Sequence, residues 1–166
     1  MTYTVGPLDD QDLDEFSCGN EELDEWLRRH ARTATGHGTR TYVLVDDAGS
    51  VVGYFAVAPH FLVRVDAPPR LARGAPQQIP AILLAKLALD TSLQGQGLGA
   101  ELLIHALETM VSAAQRAGGR IVLVDAIDDR AREFYEHHDF VLLPGHDLRL
   151  VMKLSTAAKA LGVAWP

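Results

Sequence analysis

With 166 residues, 48% of them hydrophobic, and a formal net charge of −7, the chain suits one domain with a sizeable core rather than a disordered segment. The acidic balance argues overall against a polyanionic substrate. The single cysteine, Cys18, excludes an internal disulfide, and the start MTYTVGPLDDQDLDEF lacks the basic and apolar regions of a secretory signal, so a cytoplasmic protein is expected.

In chain order, Asn20 can cap a helix whose Leu23, Trp26, Leu27, Ala31 and Ala34 share one face. Cys18 reads as a small buried residue before Gly19 or as a nucleophile, and no feature near it marks an activated thiol. Residues 41–45 and 51–58 flank DDAGS and read as a hairpin. Residues 59–80 carry five prolines and little periodicity, which predicts a long irregular connection of the functional or mobile kind. AILLAKLALD, residues 81–90, is too short to cross a membrane and has the length of a buried strand. Beyond a glycine-rich loop, Leu102, Leu103, Ala106, Leu107, Met110, Val111 and Ala114 recur at helical spacing. Residues 120–126 form another apolar strand, Asp128 starts a short helix, and FVLLPGHDLRLVMKL makes a last hairpin around Pro144 and Gly145. The segment STAAKALGVAWP, 155–166, reads as a tail. The order is α, antiparallel strands, βα, βα and ββ: a single mixed α/β domain over residues 1–166, with a central sheet and flanking helices.

The loop LQGQGLGA places Gly95, Gly97 and Gly99 between the apolar strand and the helix. First-turn N–H groups have no intrahelical partner and the helix dipole is positive there, so an anion is favoured. Glycines let a phosphate approach the backbone without meeting a Cβ. Gly95-x-Gly97-x-x-Ala100 also fits the dinucleotide fingerprint, with Asp125 as the ribose-binding acid. However, about ninety residues without a strand-helix repeat precede the loop, and too few follow Asp125 for a second mononucleotide half. No Lys-Ser or Lys-Thr follows the glycines, as a P-loop requires.

Gln94-x-x-Gly97-x-Gly99 resembles the Arg/Gln-x-x-Gly-x-Gly/Ala loop of the GNAT superfamily of N-acetyltransferases. FSCGNEELDEWLRRHA, TRTYVLVD, VVGYFAVAPH, IPAILLAKLALD and VDAIDDRAREFYEHHDF are similar, in order, to one branch, the acetyltransferase toxins of bacterial toxin–antitoxin pairs. The resemblance implies acetyl-CoA as cosubstrate and no metal. The diphosphate would lie on Gln94, Gly95, Gln96, Gly97, Leu98 and Gly99, and the pantetheine arm would pair with the backbone of Leu87, Ala88 and Leu89. Tyr135 in EFYEHHDF would lie beside the sulfur as general acid; without the resemblance it reads as a core aromatic. His60, His137 and His138 are possible bases by residue type, and water is another. The family has Gly before the Phe of FYxxxGF, where this chain has Asp139, which puts a left-handed turn near Tyr135 in question.

Residues 1–27 hold nine acids and no Lys or Arg, whereas Arg28, Arg29, Arg32 and Arg40 lie in a stretch with no acid. Arg64, Arg70 and Arg73 follow in the proline-rich connection. Singly these read as solvated surface charges; together, with Arg73, they are candidate phosphate contacts. The resemblance implies a toxin that acetylates the α-amine of aminoacyl-tRNA, blocks translation, works as a homodimer and is held by a ribbon-helix-helix antitoxin. The alternatives are an N-acetyltransferase of a small amine or protein amine, and a non-catalytic acyl-CoA-binding module.

Overall fold

The computed structural model describes residues 2–166. Strands β1 (Thr4–Pro7), β2 (Arg40–Val45), β3 (Val51–Val63), β4 (Gln78–Leu89), β5 (Ile121–Asp125), β6 (Val141–Leu142) and β7 (Arg149–Lys153) follow the hydrogen-bonded order β1-β2-β3-β4-β5-β7-β6. β4 and β5 pair in parallel, whereas β1–β2, β2–β3, β5–β7 and β6–β7 are antiparallel, so the sheet is mixed, as expected. The chain divides into two compact units: the residues up to Ala58 with Ala85–Ala106, and Pro59–Leu84 with Leu107–Pro166.

The first unit opens on β1, which the sequence pattern did not predict. TVGP combines a glycine and a proline and lies half-exposed, so it carries no alternation of apolar and polar residues. Helix α1 (Glu21–Glu25) starts where expected, its cap Asn20 Oδ1 accepting the N–H of Leu23 at 3.1 Å. A π-turn at Trp26–His30 interrupts the helix before α2 (Ala31–Thr35). Leu27 and Ala31 still reach the core, where they join Leu13, Phe16, Val43, Val51, Tyr54 and Ala88. Tyr54 anchors this cluster: its hydroxyl donates to Leu23 O at 2.7 Å and its ring lies 5.9 Å from Trp26. Lys86, the one charge within the apolar run of β4, sits over Trp26 at 5.4 Å.

The second unit corrects the expected irregular connection. β3 runs on through Pro59 to Val63 and β4 begins at Gln78, before Pro80. Between them lie a short 3-10 turn, Arg64–Asp66, and α3 (Pro69–Ala72), with a proline at its start. Pro59 lies beyond the ladder with β2, which ends at Val57, and Pro80 before the ladder with β5, which starts at Ala81, so a missing N–H breaks neither pairing. Leu62, Ala75, Ile79, Ala81, Ile121, Leu123, Leu143 and Val151 form the core here.

Helix α4 (Leu98–Ala117) buries all seven residues of the predicted stripe. Helix α5 (Asp129–His137) is capped by Asp128, whose carboxylate accepts the Ala131 N–H at 2.8 Å. The segment expected as a tail is partly helical: α6 (Leu154–Leu161) buries Leu154, Ala157 and Ala158 and stops at Gly162 with φ +71°. No helix among the described residues is long and apolar enough to cross a membrane.

Candidate active site

The glycine loop follows the end of β4 directly. A 3-10 turn at Thr91–Leu93 leads to Gln94, and α4 begins at Leu98, so Gly99 lies in the first helical turn. Gly95 and Gly97 have φ of +78° and +80°. A Cβ at either would meet nothing within 4 Å, so in this protein glycine is required by backbone handedness rather than by lack of room. Among the described residues, no backbone carbonyl takes the N–H of Gly95, Gln96 or Gly97. Three successive donors thus remain beside a helix N-terminus, an arrangement suited to a diphosphate.

The side chains of Gln94 and Gln96 are already engaged. Gln94 Nε2 donates to Leu89 O and to Cys18 O, each at 2.8 Å, and Gln96 Nε2 donates to Ser92 O at 3.2 Å. Asp90 makes a second brace: Oδ1 accepts from Ser92 N at 3.0 Å and Ser92 Oγ at 2.8 Å, and Oδ2 from Ser17 N at 3.2 Å. Thr91 N closes it by donating to Ser17 O at 2.9 Å. The Cys18 N–H is itself held by Asp24 Oδ1 at 2.9 Å, and Asp24 is only 4% exposed. Motif spacing identified the glycines but not Ser17, Asp24 or Asp90, because the braces join positions up to 76 apart in the chain.

Leu87, Ala88 and Leu89 end β4. The parallel ladder with β5 covers Ala81–Leu84, so the backbone of these three residues is not part of it.

Tyr135 lies on α5 and is 5% exposed, its ring edge-on to Phe134 at 5.3 Å and Phe140 at 5.5 Å. Burial pushes its phenol well above the usual tyrosine value. The helix then ends in a Schellman motif: Phe140 N donates to Tyr135 O at 3.1 Å and Asp139 N to Glu136 O at 3.1 Å. Asp139 has φ +71°, and among the described residues it is the one non-glycine with positive φ. The left-handed turn in question at the sequence level therefore forms with Asp139 in place of glycine.

The chain matches the family model of the acetyltransferase (GNAT) domain over residues 37–142. It belongs to the GNAT acetyltransferase family. A tRNA-acetylating toxin of Mycobacterium tuberculosis (strain ATCC 25618 / H37Rv) is 40% identical over 157 residues, 93% of this chain and 93% of that protein. Among solved structures, AtaT complexed with acetyl-methionyl-tRNAfMet superposes with a TM-score of 0.87 and 30% identity, covering 96% of this chain and 99% of that one. A tyrosine-to-phenylalanine variant of AtaT, bound to the C-terminus of the antitoxin AtaR and acetyl-CoA, gives a TM-score of 0.83 at 29% identity, covering 96% and 98%.

Within this GNAT chain the arginines are not equivalent. Arg28 Nη1 donates to Phe16 O at 2.9 Å, and Arg32 donates to Asp9 O at 2.9 Å and Gln11 O at 2.6 Å. Arg40 Nη1 turns to Thr35 O at 3.1 Å and Thr39 O at 3.3 Å. Arg29 is 74% exposed and lies 3.6 Å from Glu25, and Arg73 is exposed. Three of the four clustered arginines therefore brace their own backbone, a role that their spacing did not reveal. Asp125, the alternative ribose ligand of the dinucleotide reading, has both oxygens held by Arg149 at 2.7 and 3.0 Å. Among the candidate GNAT bases, His138 is held below the usual histidine value by burial and by neighbouring His137, which favours the neutral imidazole. Among the described residues, no group of three or more His, Cys, Asp or Glu side chains converges to hold a metal.

Proposed function

We propose that this acetyltransferase moves the acetyl group of acetyl-CoA to the α-amine of an aminoacyl group carried on tRNA, blocks translation by doing so, and is neutralised by an antitoxin. The observation that carries this reading is the 40% identity, over 93% of both chains, to a tRNA-acetylating toxin. The likeness to AtaT, solved with an acetylated aminoacyl-tRNA and also with its antitoxin and acetyl-CoA, supports substrate, partner and cosubstrate together. Further parts of the proposal are a cytoplasmic homodimer and an antitoxin of the ribbon-helix-helix type, both expected from the toxin branch.

In the proposed mechanism, the N–H groups of Gly95, Gln96 and Gly97, with Leu98 and Gly99 at the helix start, hold the diphosphate. The backbone of Leu87, Ala88 and Leu89 pairs with the pantetheine arm as an added strand would. The amine nitrogen attacks the thioester carbonyl, and collapse of the tetrahedral intermediate breaks the C–S bond. Tyr135 supplies a proton to the departing sulfur, and the new amide nitrogen gives one up to water or a histidine. A phenol near 10 donating to a thiol near 8.5 is already uphill by roughly 2 kcal/mol, and burial of Tyr135 widens the gap. Complete transfer before bond cleavage is therefore disfavoured, and the proton moves as the intermediate collapses. An α-amine titrates near 8, so a usable neutral fraction exists at neutral pH without a dedicated base.

A second reading, acetylation of a small amine or protein amine, draws on one observation: Arg28, Arg32 and Arg40 spend donors on their own chain. Transfer of labelled acetyl to charged tRNA, with deacylated tRNA as control, separates the two. Charged tRNA left unmodified while a polyamine or peptide is acetylated would replace the first reading by the second. Binding of acetyl-CoA without turnover of any amine would leave the acyl-CoA-binding module.

A further inference from the structure

We infer that Gln94 is a positioning residue for the diphosphate of acetyl-CoA: its side-chain amide clamps the glycine loop between Leu89 and Cys18 and makes no bond to the cofactor itself. The inference rests on the reading that the loop takes the diphosphate.

Every N–H donor of Gln94 is already committed within the protein. A glutamine has three N–H groups, two on the side chain and one on the backbone. In Gln94 the side-chain pair goes to Leu89 O and Cys18 O at 2.8 Å each, and the backbone N–H turns back to Thr91 O at 3.4 Å. Only Oε1 remains, an acceptor that gains nothing by facing a phosphate. The two carbonyls it joins are the end of β4 and a residue of the loop before α1. That loop is fixed in turn, through the Cys18 N–H on buried Asp24 and through Ser17, which exchanges N–H and C=O bonds with Asp90 and Thr91. The unused N–H groups of Gly95, Gln96 and Gly97 begin at the next residue. Their direction is set by where Gln94 is pinned, so the clamp presets a donor array that a freer loop would have to order on binding. The segment 16–19, remote in sequence, thereby becomes part of the machinery that shapes the cofactor site.

Gln94→Met keeps side-chain length and removes both donors, whereas Gln94→Arg restores a two-pronged donor. Calorimetric titration with acetyl-CoA should show about tenfold weaker binding for Gln94→Met, the equivalent of one lost hydrogen bond, and a return to within about threefold of wild type for Gln94→Arg. Because the clamp acts through the diphosphate, Gln94→Met should lose a similar factor of affinity for 3′-phosphoadenosine 5′-diphosphate, which carries the diphosphate without the pantetheine arm. Equal acetyl-CoA affinity in Gln94→Met and wild type overturns the clamp alone. So does an unchanged affinity of Gln94→Met for 3′-phosphoadenosine 5′-diphosphate, which would place the loss on the pantetheine arm through Leu89 instead. A wild-type protein that binds no acetyl-CoA overturns the underlying reading and the clamp together. Should Gln94→Met not fold, the same titrations on Gln94→Asn, whose shorter amide cannot span both carbonyls, decide the question by the same criteria.

Discussion

Phe140 returns its N–H to the carbonyl of Tyr135 at 3.1 Å and lays its ring 5.5 Å from the Tyr135 ring. The bond and the ring contact belong to one helix-ending motif, closed by Asp139 at φ +71°. A left-handed conformation costs a residue with a Cβ roughly 1–2 kcal/mol, so this turn stores strain next to the proposed acid. Asp139→Gly should therefore stabilise the protein by about 1 kcal/mol, raising Tm by roughly 2–4 °C for a chain of this size. An unchanged or lower Tm in a thermal scan would mean that the aspartate carboxylate compensates the backbone cost.

Tyr135→Phe removes one hydroxyl and leaves the ring packing in place. Turnover should fall by on the order of 100- to 10,000-fold while acetyl-CoA affinity holds. Wild-type kcat in this variant would reduce Tyr135 to a packing residue.

Alkali offers an independent check on the same side chain. Because burial raises the folded phenol above its unfolded value near 10, the neutral, donating form persists past the pH at which the unfolded chain ionises. The rate should therefore show no tyrosine ionisation up to about pH 10, whereas stability against unfolding should begin to fall above it. A kcat profile descending with a pKa near 10, and moved by Tyr135→Phe, would contradict this.

The arginines divide into two predicted behaviours. Arg32→Gln removes a brace to Asp9 O and Gln11 O and should lower Tm. Arg29→Gln should leave Tm nearly unchanged, and if Arg29 meets a tRNA phosphate it should flatten the slope of log K against log salt by roughly 0.7–0.9. A salt series on charged tRNA, read beside thermal scans, measures both; an unaltered slope removes Arg29 from the tRNA surface.

Acid should loosen the β5–β7 ladder. Arg149 pairs with Asp125 through two bonds and holds its carboxyl below the ordinary carboxylate value. A depressed folded pKa means that this contribution is complete above the unfolded value, near pH 4, and is lost as pH falls through the folded one. The Asp125 side chain is 48% exposed, so solvent screening limits the pair to about 1 kcal/mol at most. Asp125→Asn should cost no more than this at pH 7 and show a smaller loss of stability below pH 4 than wild type. A parallel acid decline in both proteins would place the effect elsewhere.

Much of this was legible in local sequence, and the reason is periodicity. The stripe from Leu102 to Ala114 is buried as its spacing demands, and Asn20 and Asp128 cap the helices that follow them. The loop glycines Gly95 and Gly97 adopt the left-handed backbone for which glycine is suited. What escaped lacked such a signal. β1 is four residues with a glycine and a proline, β3 passes through Pro59, and α6 follows β7 without a break, so composition misdirected the reading of each. In the site, the glycine motif was readable, but the use of Gln94 and Arg32 to grip carbonyls far along the chain depends on tertiary placement, which no spacing rule encodes.

The chain's one thiol lies in the residue whose carbonyl Gln94 grips. Burial and the neighbouring Asp24 push the Cys18 thiol up to about 11, so near neutral pH the thiolate that alkylating reagents attack is scarce. Any local opening that released Cys18 from Asp24 would return it toward the ordinary value and speed the reaction. The protein thus carries an intrinsic clock for the motion of the segment behind its glycine loop: the rate of iodoacetamide labelling, with no engineered label, counts how often that segment lets go.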